Sequence, residues 1–213
     1  ASDDLPWCMV PEKKITPEDV KYVLSSHYQG TPYDPYAATA SEKGIYRPIG
    51  VNRNDFMALL QMRPDVPEDF RAVEWLAFAS NAFNTMVPFY ANVDTTPEYL
   101  SNTTGDVSTD NFYWASRLLA AMADASYAKS VFHIERYTLS VGAKANHIIN
   151  TCDDAQRAEA DPAARAAPAC SWSTSTVDII LRSELNGSSR TRVKRRSRRS
   201  AMPSLRCRIV AVD

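Results

Sequence analysis

The feature that most constrains the fold of this chain is a pair of short apolar runs between helix-breaking segments. Residues 56–62 (FMALLQM) and 73–80 (VEWLAFAS) have the length and composition of buried strands. A third strand is predicted at residues 85–90, where Pro88 restricts it to a sheet edge or a bulge. The sequence therefore predicts a small sheet in the first half of the chain.

Helices are predicted on both sides of these strands. The first begins after Thr16, which can cap it, and ends before Gly30, which suits a left-handed stop. Later, residues 110–129 and 131–150 have apolar side chains at helical spacing, with Gly142 as a weak point. The apolar face of the first helix is predicted to consist of Val20, Val23, Leu24 and His27. A helix, then strands, then helices indicate a mixed α/β fold of layered α+β type.

The charge distribution divides the chain in two. Residues 1–154 carry 12 Lys and Arg against 20 Asp and Glu, whereas residues 155–213 carry 12 against 5. The first part therefore has a net charge of −8 and the second of +7. We predict a domain over residues 1–154 and a poorly structured basic tail, rich in Ala, Arg and Ser, over residues 155–213.

Two origins of this tail stay open. It is either a disordered segment that contacts a polyanion, or the product of a reading-frame shift in GC-rich coding DNA. The run SSRTRVKRRSRRS contains no aromatic residue that could stack on a base, which disfavours nucleic-acid binding. We expect no core in the tail apart from residues 177–181.

Cysteine and histidine usage limits the chemistry that is open to the chain. The cysteines form no CxxC pair and the three histidines no HExxH motif, so neither a metal nor another cofactor is expected. A reducing, cytoplasmic location is predicted, with no membrane-spanning helix. The four cysteines are Cys8, Cys152, Cys170 and Cys207.

Three longer sequence segments between residues 25 and 93 resemble those of a known family. They are SSHYQGTPYDPY, IYRPIGVNR and WLAFASNAFNTMVPFYANV, and they are similar to the peptidase C69 dipeptidases, a cysteine branch of the N-terminal-nucleophile (Ntn) hydrolases. The resemblance covers about residues 5–154. It implies part of an αββα sandwich and a parent enzyme that cleaves dipeptides; homo-oligomerisation is left open.

In that family the nucleophile is a cysteine that becomes the first residue of the mature chain. None of the four cysteines matches that position, and Cys8, which follows Leu-Pro-Trp, is expected to be a small buried side chain. We therefore expect a fragment from the C-terminal side of a dipeptidase, inactive by itself. The alternative is a non-catalytic module whose basic tail binds a polyanion or a protein.

The resemblance also implies candidate site residues. The string DNFYWASRL places Arg117 where related enzymes hold an arginine beside the nucleophilic thiol; the alternative is a helix arginine that reaches solvent or pairs with Asp110 or Asp124. Asn84, at a strand end, is a candidate oxyanion donor.

The word HYQGTPYDPY supplies candidate substrate-binding groups. Tyr33, Asp34 and Tyr36 lie in a proline-bounded loop and could present hydroxyls and a carboxylate to the amine of a dipeptide. Equally, the same groups could pin the loop to the sheet. Both interpretations remain open at this point.

Overall fold

The computed structural model describes residues 4, 6–93 and 96–158 of the 213-residue chain. Within these ranges the chain forms a three-stranded sheet with helices on either side of it in sequence, which confirms the predicted mixed fold. The αββα sandwich stays a prediction. The elements are α1 (Pro17–Leu24), β1 (Phe56–Met62), a 3-10 turn (Glu68–Phe70), β2 (Ala72–Phe78), β3 (Val87–Tyr90), α2 (Glu98–Ser101), α3 (Phe112–Asp124) and α4 (Tyr127–Ala158).

The sheet is an antiparallel meander in the order β1–β2–β3. Phe56 pairs with Phe78 at one end of β1 and Met62 with Ala72 at the other. The predicted bounds of the first strand are confirmed. Pro88 in β3 lies opposite Trp75 in β2. Among the described residues β3 is an edge strand, which suits proline because proline has no N–H to donate to a neighbouring strand.

Helix α1 begins with the predicted cap. The Thr16 hydroxyl accepts from the Asp19 amide at 3.1 Å, and the Asp19 carboxylate accepts from the Thr16 amide at 3.0 Å, so each residue satisfies a donor of the other. The helix ends at Leu24, earlier than predicted, and Gly30 takes its positive φ of 72° in the following loop. The predicted apolar face is partly wrong: Val23 is 53% exposed, whereas Lys21 is buried.

Helices α3 and α4 meet at Ala125 and Ser126, a few residues before the predicted junction. Helix α4 runs unbroken through Gly142, so this glycine does not interrupt it. Residues 155–158, the first of the predicted tail, belong to α4; the remainder, 159–213, lies outside the described residues.

Helix α4 supplies a buried stripe at three- and four-residue spacing that packs against both sides of the sheet. Its members are Ile134, Tyr137, Val141, Ala145 and Ile149. Ala145 and Ile149 belong to one cluster, together with Met57, Val73, Trp75 and Ala77. Tyr137 and Val141 belong to another, together with Val87, Phe89, Tyr99, Phe112 and Ala115. No helix within residues 6–93 and 96–158 is both long and apolar enough to cross a membrane.

A buried ion pair ties the last part of α4 to the sheet. Asp153 accepts from both terminal nitrogens of Arg63, at 2.6 and 3.1 Å, and from the Tyr90 hydroxyl at 2.7 Å. Burial, followed by the hydrogen bond to Asp153, raises the pKa of Tyr90. The network therefore contains a neutral phenol and a bidentate charge pair, which is a geometry that stabilises a buried carboxylate.

Candidate active site

The end of β2 leads into a buried polar turn, residues 79–85. Ala79 is fully buried and has a φ of 67°, a conformation that L-residues with a side chain rarely adopt. Its amide donates to the Asp55 carbonyl at 2.9 Å, which fixes the strained residue to the residue that precedes β1. The Ser80 carbonyl then accepts from the amides of Phe83 and Asn84, closing one helical turn. Strain held by hydrogen bonds at a strand end is a feature common at functional sites.

Asn84 is buried at the end of this turn. Its amide nitrogen donates to the Ala79 carbonyl at 2.9 Å and, over a longer 3.4 Å, to the side-chain oxygen of Asn81. Rotating the amide would place its oxygen against the Ala79 carbonyl, two acceptors face to face, so this orientation is the stable one. Its oxygen has no hydrogen-bond partner within the described residues. One side-chain N–H of Asn84 is therefore held by a good hydrogen bond to Ala79, and the other by only a weak one to Asn81.

Arg117 lies at the same end of the sheet. Its guanidinium forms an ion pair with Asp55, not with Asp110 or Asp124, and lies 6.0 Å from the ring centroid of Tyr113. Since the Asp55 backbone also receives the Ala79 amide, the contacts run from Arg117 through Asp55 and Ala79 to Asn84. The two residues predicted as catalytic, which are 33 positions apart in the sequence, are thus connected through two intermediate residues.

Tyr36 contacts the same turn, and Asp34 lies beside Tyr36. The Asp34 carboxylate is buried, accepts from the Tyr36 amide at 2.9 Å and lies 3.9 Å from His27 Nε2. The Tyr36 ring packs against Phe83 at 5.1 Å and against Tyr127 at 5.0 Å. Burial raises the pKa of Tyr36 to about 12, so its hydroxyl keeps its proton at neutral pH.

These contacts favour the loop-pinning interpretation for Asp34. Its carboxylate is occupied by a backbone donor and by the neighbouring imidazole, and it is only 4% exposed. Tyr33 lies apart: its ring contacts Tyr46 at 4.9 Å, and the Glu42 carboxylate raises the pKa of Tyr33. Substrate binding by these residues stays a prediction.

Sequence reasoning missed Lys21 and Ser25. Lys21 Nζ donates to the Ser25 hydroxyl at 2.7 Å and to the Asn81 carbonyl, and the Ser25 hydroxyl donates to the same carbonyl at 2.7 Å. Burial lowers the pKa of Lys21 to about 7. A lysine one helical turn before a serine is common in sequences, so only the unexpected rotation of α1 reveals it.

Gly50 fixes Ser25 from the opposite side. The Gly50 amide donates to the Ser26 carbonyl at 2.7 Å, and a Cβ on Gly50 would lie 2.6 Å from the Ser25 carbonyl carbon. The segment IGVNR therefore requires glycine at position 50, because its backbone passes the backbone of Ser25 at contact distance.

Cys8 is exposed, so the expectation of a buried side chain is wrong. Residues 6–11 contain no helix or strand, and Trp7 and Val10 are also exposed, because this lead-in does not pack against the sheet. Within the ranges that the structure describes, no three His, Cys, Asp or Glu side chains converge in a way that could hold a metal ion.

Comparison with known proteins agrees with the resemblance seen in the sequence. A dipeptidase of Bifidobacterium longum (strain NCC 2705) is 49% identical over 155 residues, which are 72% of this chain and 29% of the relative. Dipeptidase A of Lactobacillus helveticus is 44% identical over 129 residues, or 60% of this chain and 27% of the relative. The chain thus spans less than a third of the length of these two relatives. The sequence model of peptidase family C69 matches residues 1–140, and the chain belongs to this family.

Proposed function

We propose that this chain is the part of a cysteine dipeptidase that supports the nucleophile and the oxyanion at the end of the sheet. The proposal is carried by the chain of contacts that connects Arg117 to Asn84 through Asp55 and Ala79. It is supported by membership of the C69 family and by relatives named as dipeptidases. The substrate is a dipeptide, and the reaction is hydrolysis of its peptide bond.

The reaction proceeds through an acyl-enzyme. A cysteine thiolate attacks the carbonyl carbon of the dipeptide, and the tetrahedral intermediate expels the second amino acid with the proton that the α-amine of the cysteine took from the thiol. Water then attacks the thioester, releases the first amino acid and restores the thiol. The nucleophile is an N-terminal cysteine whose own α-amine acts as the base, and it is none of the four cysteines of this sequence.

Arg117 acts on the thiol. A guanidinium beside a cysteine favours the thiolate because the positive charge stabilises the ionised form. Asp55 holds this guanidinium at the end of β1, and the side chain of Arg117 retains 38% exposure, which leaves part of it free for a neighbouring group. Arginine suits this position because its charge persists at every relevant pH.

Asn84 acts on the oxyanion. Its bond to the Ala79 carbonyl fixes the amide, and the longer 3.4 Å contact to Asn81 is the one that it exchanges for the substrate oxygen. A preorganised donor of this kind typically contributes on the order of a hundredfold in turnover. Tyr36 and Asp34 define the wall of the site next to Phe83.

The test is thiol-dependent hydrolysis of alanyl-leucine by the full-length protein that contains this chain. We expect turnover that iodoacetamide abolishes, and no turnover by residues 1–213 alone. Hydrolysis that survives alkylation would refute the cysteine mechanism. Turnover by the purified 213-residue chain would show that one of its own cysteines is the nucleophile.

A further inference from the structure

The amine of Lys21 lies in a closed triangle of hydrogen bonds. It donates to Ser25 Oγ at 2.7 Å and to the Asn81 carbonyl, while Ser25 Oγ donates to that carbonyl at 2.7 Å. The Asn81 side chain returns a bond to the Leu24 carbonyl at 3.2 Å. The last turn of α1 therefore holds the polar turn 79–85 at one backbone carbonyl and one side chain.

The number of donors in this triangle matches an uncharged amine. A neutral amine has two N–H groups and an ammonium has three. Both donors of the neutral form are used by Ser25 and Asn81, and no carboxylate pairs with Lys21 within the described residues. A third proton would be buried with no acceptor, which costs free energy. The low pKa of Lys21, caused by burial, agrees with this count.

We propose that Lys21 is a positioning residue for the dipeptidase site, which in its uncharged form anchors the 79–85 turn and, with it, Asn84. Asn81 is the link: its carbonyl accepts from Lys21, and it lies within the same hydrogen-bonded turn in which the Asn84 amide donates to the Ser80 carbonyl at 3.0 Å. Gly50 lies against the Ser25 backbone, so close that a Cβ on Gly50 would overlap it, and this contact helps to fix the position of Ser25. The effect on turnover rests on the proposed function; the effect on folding does not.

The elements around Lys21 contribute little charge of their own. Residues 79–85 and β1 contain no titratable side chain. On α1, Glu18 faces α4 and accepts from Asn146 at 2.7 Å. Beyond the triangle, His27 faces Tyr127 and Asp34. Protonation of Lys21 is therefore opposed by desolvation rather than by a neighbouring cation.

If Lys21 is uncharged, glutamine should replace it better than arginine does, which is the reverse of the usual order for lysine. Lys21→Arg keeps the charge but cannot lose it, so it forces a cation into the triangle. Lys21→Gln removes the charge and keeps two N–H donors on one nitrogen. A lysine that merely snorkels to solvent would tolerate arginine at least as well as glutamine.

The experiment measures kcat/KM for alanyl-leucine between about pH 5.5 and pH 9 in the full-length protein. The variants are Lys21→Gln and Lys21→Arg, with Lys14→Gln as the matched control at an exposed lysine shortly before α1. At pH 8 we expect Lys21→Arg to lose at least about tenfold, and Lys21→Gln to stay within about threefold of wild type. Below pH 7 the ratio of wild type to Lys21→Gln should fall about tenfold per pH unit, because only wild type protonates this site.

A ratio that stays flat with pH, or an arginine variant more active than the glutamine variant, would overturn the proposal. If Lys21→Arg does not fold, the wild type and Lys21→Gln comparison decides alone. If the wild type hydrolyses no dipeptide, the proposed function fails, and thermal unfolding of the 213-residue chain tests Lys21 separately. The melting temperature of wild type should then rise from about pH 7 to pH 9 relative to that of Lys21→Gln; parallel curves would refute the uncharged anchor.

Discussion

Two arginine–aspartate pairs in this molecule have the same chemistry and opposite surroundings. The side chains of Arg63 and Asp153 are 13% and 6% exposed and join the sheet to α4. Those of Arg117 and Asp55 are 38% and 64% exposed and meet at the other end of the sheet, beside the strained Ala79. The buried pair has additional partners in Tyr90 and the Phe70 carbonyl.

The difference in exposure indicates how much each pair contributes to stability. A buried ion pair depends on both partners, because removing one leaves an uncompensated charge in the interior. An exposed pair is screened by water and contributes little to stability. Arg63–Asp153 is thus structural, whereas the catalytic role proposed for Arg117 does not conflict with a role in folding.

The largest effect is expected from Arg63→Met. It leaves the Asp153 carboxylate buried without its bidentate partner, and we expect a loss of ~3–5 kcal/mol in the free energy of unfolding. Urea denaturation followed by circular dichroism measures this. The matched control is Arg63→Met combined with Asp153→Leu, which removes both charges and should recover most of the loss. A double variant as unstable as the single one would show that the packing of these side chains, not the charge, is decisive.

The next largest effect concerns pH. The folded pKa of Lys21 is about 7, below its ordinary value, so the unfolded chain binds a proton that the folded chain does not. Stability therefore rises as pH increases through the window from about 7 to the ordinary lysine pKa, by roughly 1.4 kcal/mol per pH unit. The free energies of unfolding at pH 7.5 and pH 9, measured by urea denaturation, should therefore differ by about 2 kcal/mol.

Two buried tyrosines titrate outside this window. Burial raises the pKa of Tyr36 and Tyr127 above the ordinary tyrosine value, so they affect stability only when the unfolded chain ionises, near pH 10 and above, and there they lower it. Lys21→Gln should flatten the curve between pH 7.5 and 9, whereas Lys14→Gln should leave it unchanged. An equal slope in all three proteins would assign the pH dependence to another group.

Arg117→Ala tests the exposed pair. In the full-length protein we expect turnover to fall at least tenfold, or ~1.4 kcal/mol, because the thiol loses a neighbouring cation. The free energy of unfolding should change by less than about 1 kcal/mol, as for an exposed ion pair. Asp55→Asn is the control that removes the partner but keeps the arginine. An unchanged rate in Arg117→Ala would remove this residue from the site, and a large loss of stability would break the contrast with Arg63.

Much of the fold follows from local patterns in the sequence. Residues 56–62 form a strand because an apolar run of this length between breakers suits a strand better than a helix, and Thr16 caps α1 because its hydroxyl can reach an orphan amide. Gly142 did not break α4 because the tertiary packing of Val141 and Ala145 outweighs a propensity cost of about 1 kcal/mol.

The site was less accessible to the same reasoning. The alternative to a catalytic Arg117 offered solvent or the nearby Asp110 and Asp124 as its surroundings, but its partner is Asp55, which the register of β1 with β2 brings close. Lys21 carries no local signal, since its burial depends on how α1 rotates against the turn 79–85. Contacts across 60 residues are decided by tertiary packing, and no single sequence displays them directly.

The smallest effect separates the two ends of α1. Thr16→Ala removes the N-cap hydroxyl and should lower the free energy of unfolding by ~1 kcal/mol, measured by urea denaturation at neutral pH. Thr16→Ser retains the hydroxyl and should restore most of this. Because Thr16 lies at the opposite end of α1 from the triangle formed by Lys21, Ser25 and Asn81, its loss should lower stability equally at pH 7.5 and pH 9. A pH-dependent cost in Thr16→Ala would mean that fraying of the whole helix, and not the charge on Lys21, controls the anchoring of Asn84.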